Sequence, residues 1–171
     1  MKLIIFGLGS IGKRHARILK EQFAHELFAF RSQRGGAKNE LSIPEVYTWD
    51  EVEKLKPDVA FITNPTSQHV ETALQCAERG MHLFIEKPLS HSMEGVEDLI
   101  RLCGEKSLTC YTAYCLRFHP VIKELKERVQ GKKILHVRAS VSAYLPNWRP
   151  GTDHKKSYSA NASQGGGVLL D

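Results

Sequence analysis

Glu86, Lys87 and Pro88 follow directly on the apolar run at residues 83–85. A carboxylate and an amine at the end of a buried strand, with proline fixing the next φ, put ionisable groups where a parallel sheet meets its ligand. A lysine held there is open to desolvation and to nearby positive charge, which draw an amine's proton affinity down and suit it to general acid–base work. The plain alternative is a strand ending in a charged turn. A second set of residues has a different chemistry. Gly7, Gly9 and Gly12 in "GLGSIG" form the G-x-G-x-x-G spacing, with Ser10 and Ile11 between them. The first glycine permits a tight turn, the second lets a pyrophosphate approach the backbone, and the third lets a helix pack close to a strand. The helix N-terminus then offers N–H groups and a positive dipole end to phosphate. The spacing alone is weak; an apolar strand before it and a helix after it raise its weight.

Two further groups belong to the same chemistry. An NAD site places an acid on the ribose 2′-hydroxyl about 20 residues past the glycines. Arg31 stands near that place here, with Ser32 beside it and Arg34 nearby. A guanidinium and a hydroxyl suit a 2′-phosphate, so the sequence favours NADP(H), with NAD as the other option. Asn64, Pro65 and His69 follow another apolar run, which puts them at a strand end on the cofactor side. His69 also reads as an ordinary partly buried histidine, one turn into a helix.

Elements of alternating type must position these groups. Apolar runs at residues 2–6, 26–30, 58–63, 82–86 and 108–114 read as buried strands. Between them, Ile11, Ile18, Leu19 and Phe23 recur at helical spacing, and residues 49–56 suggest a short helix before Pro57. A helix capped by Thr66 or Ser67 would turn Val70, Ala73, Leu74 and Ala77 inward and stop at Gly80. Another, over residues 92–103, would bury Val96, Leu99, Ile100 and Cys103 and stop at Gly104. Residues 31–43 read as a loop. This alternation predicts an α/β fold, a Rossmann-type doubly wound parallel sheet, over residues 1–120. A helix over residues 120–129 follows, with Val121, Ile122, Leu125 and Val129 on one side. Residues 135–145 then alternate apolar and polar, which predicts a long strand with one wet face. Residues 121–171 thus read as the incomplete start of an α+β substrate domain with an antiparallel sheet.

Composition narrows the partners. The chain has 171 residues and a net charge of +5. The excess is uneven: 18 basic against 17 acidic residues over 1–130, and 6 against 2 over 131–171. The basic residues of the second part are dispersed and accompany no nucleic-acid motif, so an anionic small molecule accounts for them better than nucleic acid. No apolar run approaches the roughly 20 residues of a membrane span, and the N-terminus does not read as a signal peptide; the expectation is a cytoplasmic protein. Four cysteines occur without a C-x-x-C or zinc-ligand spacing. They read as packing thiols, with no metal.

Three stretches, "FGLGSIGKRHARIL", "TNPTSQHVETALQCAERGMHLFIEKPLS" and "YCLRFHPVIKELK", resemble the family of glucose–fructose oxidoreductase, inositol dehydrogenase and their relatives. The E-K-P element after "AERGMHLF" is far more specific than the glycines. The resemblance implies a dinucleotide-dependent oxidoreductase acting on a carbohydrate, with Lys87 beside the carbon that gives up hydride. It implies contacts to the cofactor from Glu86 and Lys87, and to the substrate from Lys87 and Arg117. Cys115 stands where the family has an asparagine ahead of its R-F pair. "GGGVLLD" resembles the start of a family element in which an acid precedes a histidine by one helical turn. Asp171 matches the acid, and the histidine would fall beyond it, so the expectation is a truncated chain without turnover. Residues 144–160 read as a loop, either a plain surface loop or a substrate loop with Trp148 and Arg149 as sugar contacts. A homo-oligomer is expected. A noncatalytic dinucleotide-binding module, or a subunit completed by another chain, is the alternative.

Overall fold

The computed structural model describes residues 1–32, 39–144, 147, 151 and 153–167. Arg34, Leu145, Trp148, Arg149 and Asp171 lie outside the described residues.

Among the described residues, six strands form one sheet: β1 (Lys2–Phe6), β2 (Glu26–Phe30), β3 (Glu45–Val46), β4 (Val59–Ile62), β5 (His82–Ile85) and β6 (Cys110–Thr112). Their order is β3-β2-β1-β4-β5-β6, and every pairing is parallel. Among the described residues, five α-helices accompany them: α1 (Ser10–Gln22), α2 (Trp49–Leu55), α3 (His69–Glu78), α4 (Val96–Glu105) and α5 (Pro120–Val129). This is the expected doubly wound fold. The order reverses between β1 and β4, and the crevice of such a sheet opens at that point, beyond the C-terminal strand ends.

The inner residues of the central strands are apolar because helices cover both faces. Ile4 and Ile5 point to opposite sides, and each is fully buried. Ile4 joins Ile62, Ile85, Ala73, Cys76 and Leu99 under α2, α3 and α4. Ile5 joins Ala16 and Ala29 on the α1 side, together with Ile43 from the segment after β2. Truncating either isoleucine to alanine costs about 2–5 kcal/mol by the usual penalty for a buried cavity.

Local chemistry sets the helix ends, and several differ from expectation. α2 opens on a reciprocal cap, Thr48 accepting from the Glu51 N–H while Glu51 accepts from the Thr48 N–H. Neither Thr66 nor Ser67 caps α3. Residues Thr66–Gln68 form a 3-10 turn instead, and Gln68 precedes the helix without a side-chain bond. α4 begins at Val96, after Gly95, and runs through Gly104 to Glu105. It closes through Ser107, at φ 53°, with Leu108 N–H on the Cys103 carbonyl at 2.8 Å, a left-handed cap that needs no glycine at 104. Ile100 is 66% exposed and Phe23 is 50% exposed, so neither belongs to the core. The four cysteines are free thiols. Cys76 and Cys103 are buried as expected, but Cys110 and Cys115 are exposed and are not packing residues.

β3 was not visible in the sequence. The strand predicted over residues 135–145 is also absent among its described residues, 135–144, which enter no ladder. Alternation specifies a ribbon's two faces, but a strand exists only where a neighbour takes its N–H and C=O groups. No described residue offers that neighbour, and Leu135, Val137 and Val141 are exposed. α5 forms where expected, yet Val121, Ile122 and Leu125 are exposed as well.

Candidate functional site

Strand ends β1, β2, β4 and β5 border a cleft of about 860 Å³. Gly7, Gly9, Ser10 and Ile11 form one wall, and Arg31 and Ser32 stand at the end of β2. Asn64, Pro65 and His69 follow β4, and Glu86 and Lys87 follow β5. The cleft thus gathers every residue expected at the cofactor except Gly12. Arg117 is exposed in the 3-10 turn Cys115–Phe118 and does not line it.

Gly12 works underneath. A Cβ there would lie 2.0 Å from the Gly7 carbonyl oxygen and 2.7 Å from Thr63 Oγ1, so only glycine lets α1 seat on the turn. Gly7 has φ +96°, and a Cβ there would lie 3.0 Å from the Asn64 backbone. Gly9 is different, since a Cβ there would meet nothing within 4 Å. Thr63, buried at the end of β4, lies with Oγ1 2.6 Å from the Gly7 carbonyl and 3.1 Å from that of Phe6. It ties the glycine turn to the neighbouring strand. α1 has no side-chain cap and no acid in its first turn, which leaves its N-terminal N–H groups and positive end for an anion. Asn64 gives Nδ2 to Thr72 Oγ1 at 2.9 Å, while its buried Oδ1 accepts from no described group.

Arg31 is not a lone cation. Its Nη1 lies 2.9 Å from Glu45 Oε1 on β3. The Tyr47 hydroxyl donates to the other oxygen of that carboxylate. The Tyr47 hydrogen bond, helped by Arg31, holds the Glu45 carboxyl below the ordinary value despite its partial desolvation.

Lys87 is exposed, but its neighbours are braced from two helices. Glu86 Oε1 is 2.6 Å from His15 Nε2, and Glu86 Oε2 accepts from the Lys87 N–H at 3.2 Å. The His15 ring stacks edge-on against Phe84, with centroids 5.2 Å apart. On the other side, His69 Nδ1 is 2.9 Å from the Pro88 carbonyl and Nε2 is 2.9 Å from the Asn64 carbonyl. The Lys87–Pro88 peptide is cis. His69 is only 2% exposed, and both its nitrogens face backbone carbonyls. Its ring therefore joins the β4 and β5 turns and has no nitrogen to spare for a ligand. Burial pushes its pKa below the ordinary value, outweighing the two carbonyls and Glu86, which act the other way.

His15, Glu45 and Thr63 are the residues sequence reasoning missed. His15 had a signal, since it lies four residues after Ile11 and so on the sheet-facing side of α1. Glu45 had none, because its partner is reached through a two-residue strand in the stretch between the loop read at 31–43 and the helix read at 49–56, where no element was expected.

From the other end of the chain, the turn at residues 162–167 reaches this edge. Gly165 and Gly166 are buried, and the Cβ position of Gly165 lies 2.8 Å from Thr66 Cβ. Among the described residues there is no cluster of side chains that could hold a metal, and no helix is long and apolar enough to cross a membrane.

Residues 1–114 match the oxidoreductase family described as having an NAD-binding Rossmann fold, named for its Gfo, Idh and MocA members. The chain is 29% identical to myo-inositol 2-dehydrogenase of Thermotoga maritima over 140 residues, which are 78% of this chain and 42% of that protein. It is 26% identical over 151 residues to D-xylose 1-dehydrogenase (NADP(+)) 2 of Haloferax volcanii, covering 84% of this chain and 46% of that one. The crystal structure of scyllo-inositol dehydrogenase from Lactobacillus casei with bound NAD(H) and scyllo-inositol superposes with a TM-score of 0.65 at 26% identity, over 75% of this chain and 40% of that one. The chain thus spans less than half the length of these relatives.

Proposed function

The chain belongs to the oxidoreductase family of glucose–fructose oxidoreductase and inositol dehydrogenase, and on that premise we propose that it holds the dinucleotide of an enzyme acting on a sugar, cyclitol or sugar nucleotide. The reaction would move hydride between the nicotinamide and a ring hydroxyl or ketone. One observation carries this reading: Lys87 lines the same cleft as the uncapped N-terminus of α1 and its glycine turn.

The residues present fit a dinucleotide. Open space before Gly9 and an N-terminus without cap or acid suit a pyrophosphate. The unmatched Asn64 Oδ1 is an acceptor awaiting a donor. Arg31 and Ser32, at the end of β2, face the position of an adenosine ribose and tolerate a 2′-phosphate, so NADP(H) is within the proposed range alongside NAD(H). When bound, the nicotinamide ring supplies the acceptor or donor of hydride. The chain's own work is proton handling and placement. Lys87 Nζ takes the hydroxyl proton as the alcohol is oxidised and returns it in the reverse direction. Glu86, held by His15, and Pro88, held by His69, fix the backbone on either side of that amine. Residues 1–120 are taken as the nucleotide-binding domain and residues 121–171 as the start of the substrate domain. Dinucleotide binding is proposed for the chain itself, and carbohydrate turnover for the whole protein.

Titration of the 171-residue chain with NADH and NADPH, followed by nucleotide fluorescence, tests the first part; no binding of either would refute it. For turnover, Lys87→Met in the whole protein should leave nucleotide binding nearly intact. It should slow reduction of NAD(P)⁺ by the accepted carbohydrate about 10²–10⁴-fold. An unchanged rate would leave Glu86 and Lys87 as a charged strand end and no more.

A further inference from the structure

We infer that Glu45, on a strand that contributes nothing to the cleft wall, sets how strongly the cleft discriminates between dinucleotides with and without a 2′-phosphate. This rests on the proposal that the cleft takes a dinucleotide. Selectivity in such a site follows the charge at the end of the second strand: an acid receives the ribose hydroxyls, and a cation receives the 2′-phosphate. Here both kinds of charge meet. Arg31 is at the strand end, and Glu45 lies 2.9 Å from its guanidinium.

The pair is held by the sheet. β2 and β3 run in parallel register, with Ala29 opposite Glu45 and Phe30 opposite Val46. Ala29 N–H bonds the Pro44 carbonyl, and Arg31 N–H bonds the Val46 carbonyl, each at 2.9 Å. The backbone on which Glu45 sits is therefore as fixed as the one that carries Arg31. Tyr47 gives the carboxylate a second donor, which keeps it ionised beside the guanidinium.

A 2′-phosphate reaching Arg31 thus meets a carboxylate on the same guanidinium. Among the described residues, the +1 of Arg31 is matched at this strand end by the −1 of Glu45. The phosphate must share or displace the Glu45 contact, and the residual repulsion offsets most of what the guanidinium offers. A nucleotide lacking the phosphate faces no such competition. The sequence alone favoured NADP(H) because it displayed Arg31 without its partner. With Glu45 in place, NADH and NADPH should bind the wild-type chain within about fivefold of each other, the near-cancellation expected of a matched pair.

Glu45→Gln separates the charge from the scaffold, since glutamine keeps an acceptor for Tyr47 and nearly the same shape. Fluorescence titration with NADH and NADPH, at low and moderate salt, reads the affinity ratio for each variant. The expected result is a shift of about tenfold towards NADPH in Glu45→Gln, shrinking as salt screens the phosphate. It should be abolished when Arg31→Gln is added, because Glu45 acts only through that guanidinium. A general loss of folding would weaken both nucleotides and leave the ratio unmoved; thermal melts of each variant identify that case, and Glu45→Ala, which removes the charge without the amide, then supplies the same reading. If both nucleotides bind and neither Glu45 variant moves the ratio, the role of Glu45 is overturned while the dinucleotide cleft stands. If the wild type binds neither nucleotide, both proposals fall.

Discussion

A buried imidazole between two carbonyls is a chemical contradiction that the fold keeps. Neutral histidine has one N–H, yet His69 faces the Asn64 and Pro88 carbonyls, each at 2.9 Å. The imidazolium would satisfy both, but at 2% exposure its desolvation costs more than the second hydrogen bond returns. The folded pKa is thus lowered from the ordinary 6.5, desolvation being the chief cause. The sign follows directly. Between the lowered folded pKa and 6.5 the unfolded chain binds more protons, so stability is complete above about pH 6.5 and is lost as pH falls towards the folded pKa. Urea melts from pH 8 to 5.5 should show wild type weakening below 6.5, by at most about 1.4 kcal/mol per pH unit for one group. His69→Gln should lack that component and should be less stable at pH 8, by about 1–3 kcal/mol for a disrupted buried bridge. Parallel pH profiles for the two proteins would remove His69 as the source.

At the scale of elements, the β1–α1 turn separates what a glycine does for the fold from what it does for a ligand. Gly12→Ala drives a Cβ to 2.0 Å from a backbone oxygen, which cannot swing away as a side-chain end would. It should cost about 3 kcal/mol or more in a denaturant melt, as overpacking against backbone does. Gly9→Ala meets no atom within 4 Å, and its φ of −69° is one that alanine adopts freely. Stability should change by no more than about 1 kcal/mol, while nucleotide affinity falls at least tenfold if a pyrophosphate occupies that space. Equal affinity in Gly9→Ala would move the phosphate elsewhere. The same turn explains what could be read from sequence. Glycine spacing, buried-strand runs and the E-K-P element are local signals, and they located Gly7, Gly9, Arg31, Asn64 and Lys87 on one cleft. The Glu45–Arg31 and His15–Glu86 pairs join residues 14 and 71 positions apart, and no local pattern records them. Ser107 likewise ends α4 because a left-handed residue was needed there, although Gly104 was the more obvious stop.

Across the whole molecule, the described apolar residues divide into those the sheet uses and those it does not. The doubly wound core takes Ile4, Ile5, Ile62, Ile85 and Leu99 to 1% exposure or less. Beyond β6 the apolar pattern continues, but most of its described side chains stay open to solvent. Leu116, Phe118, Val121, Leu125, Leu135, Val137 and Val141 are each more than half exposed, Val141 at 98%. Single exposed leucines are ordinary; a run of them along one helix and the extended segment after it is the mark of a surface that associates. An alternating segment whose described residues enter no ladder adds a template for pairing. The 171-residue chain should therefore self-associate through residues 116–141 and leave the nucleotide cleft outside the contact. Sedimentation or light scattering at tens of micromolar should give a mass above the 19.3 kDa of one chain, falling towards it on dilution. A dye that fluoresces on apolar surfaces should bind the dilute form. Leu125→Glu with Val137→Glu should shift the equilibrium to monomer, because each places a charge in the proposed contact, and should leave NADH affinity unchanged. A wild-type chain that stays monomeric across that concentration range would show that these side chains, exposed as they are, do not find one another.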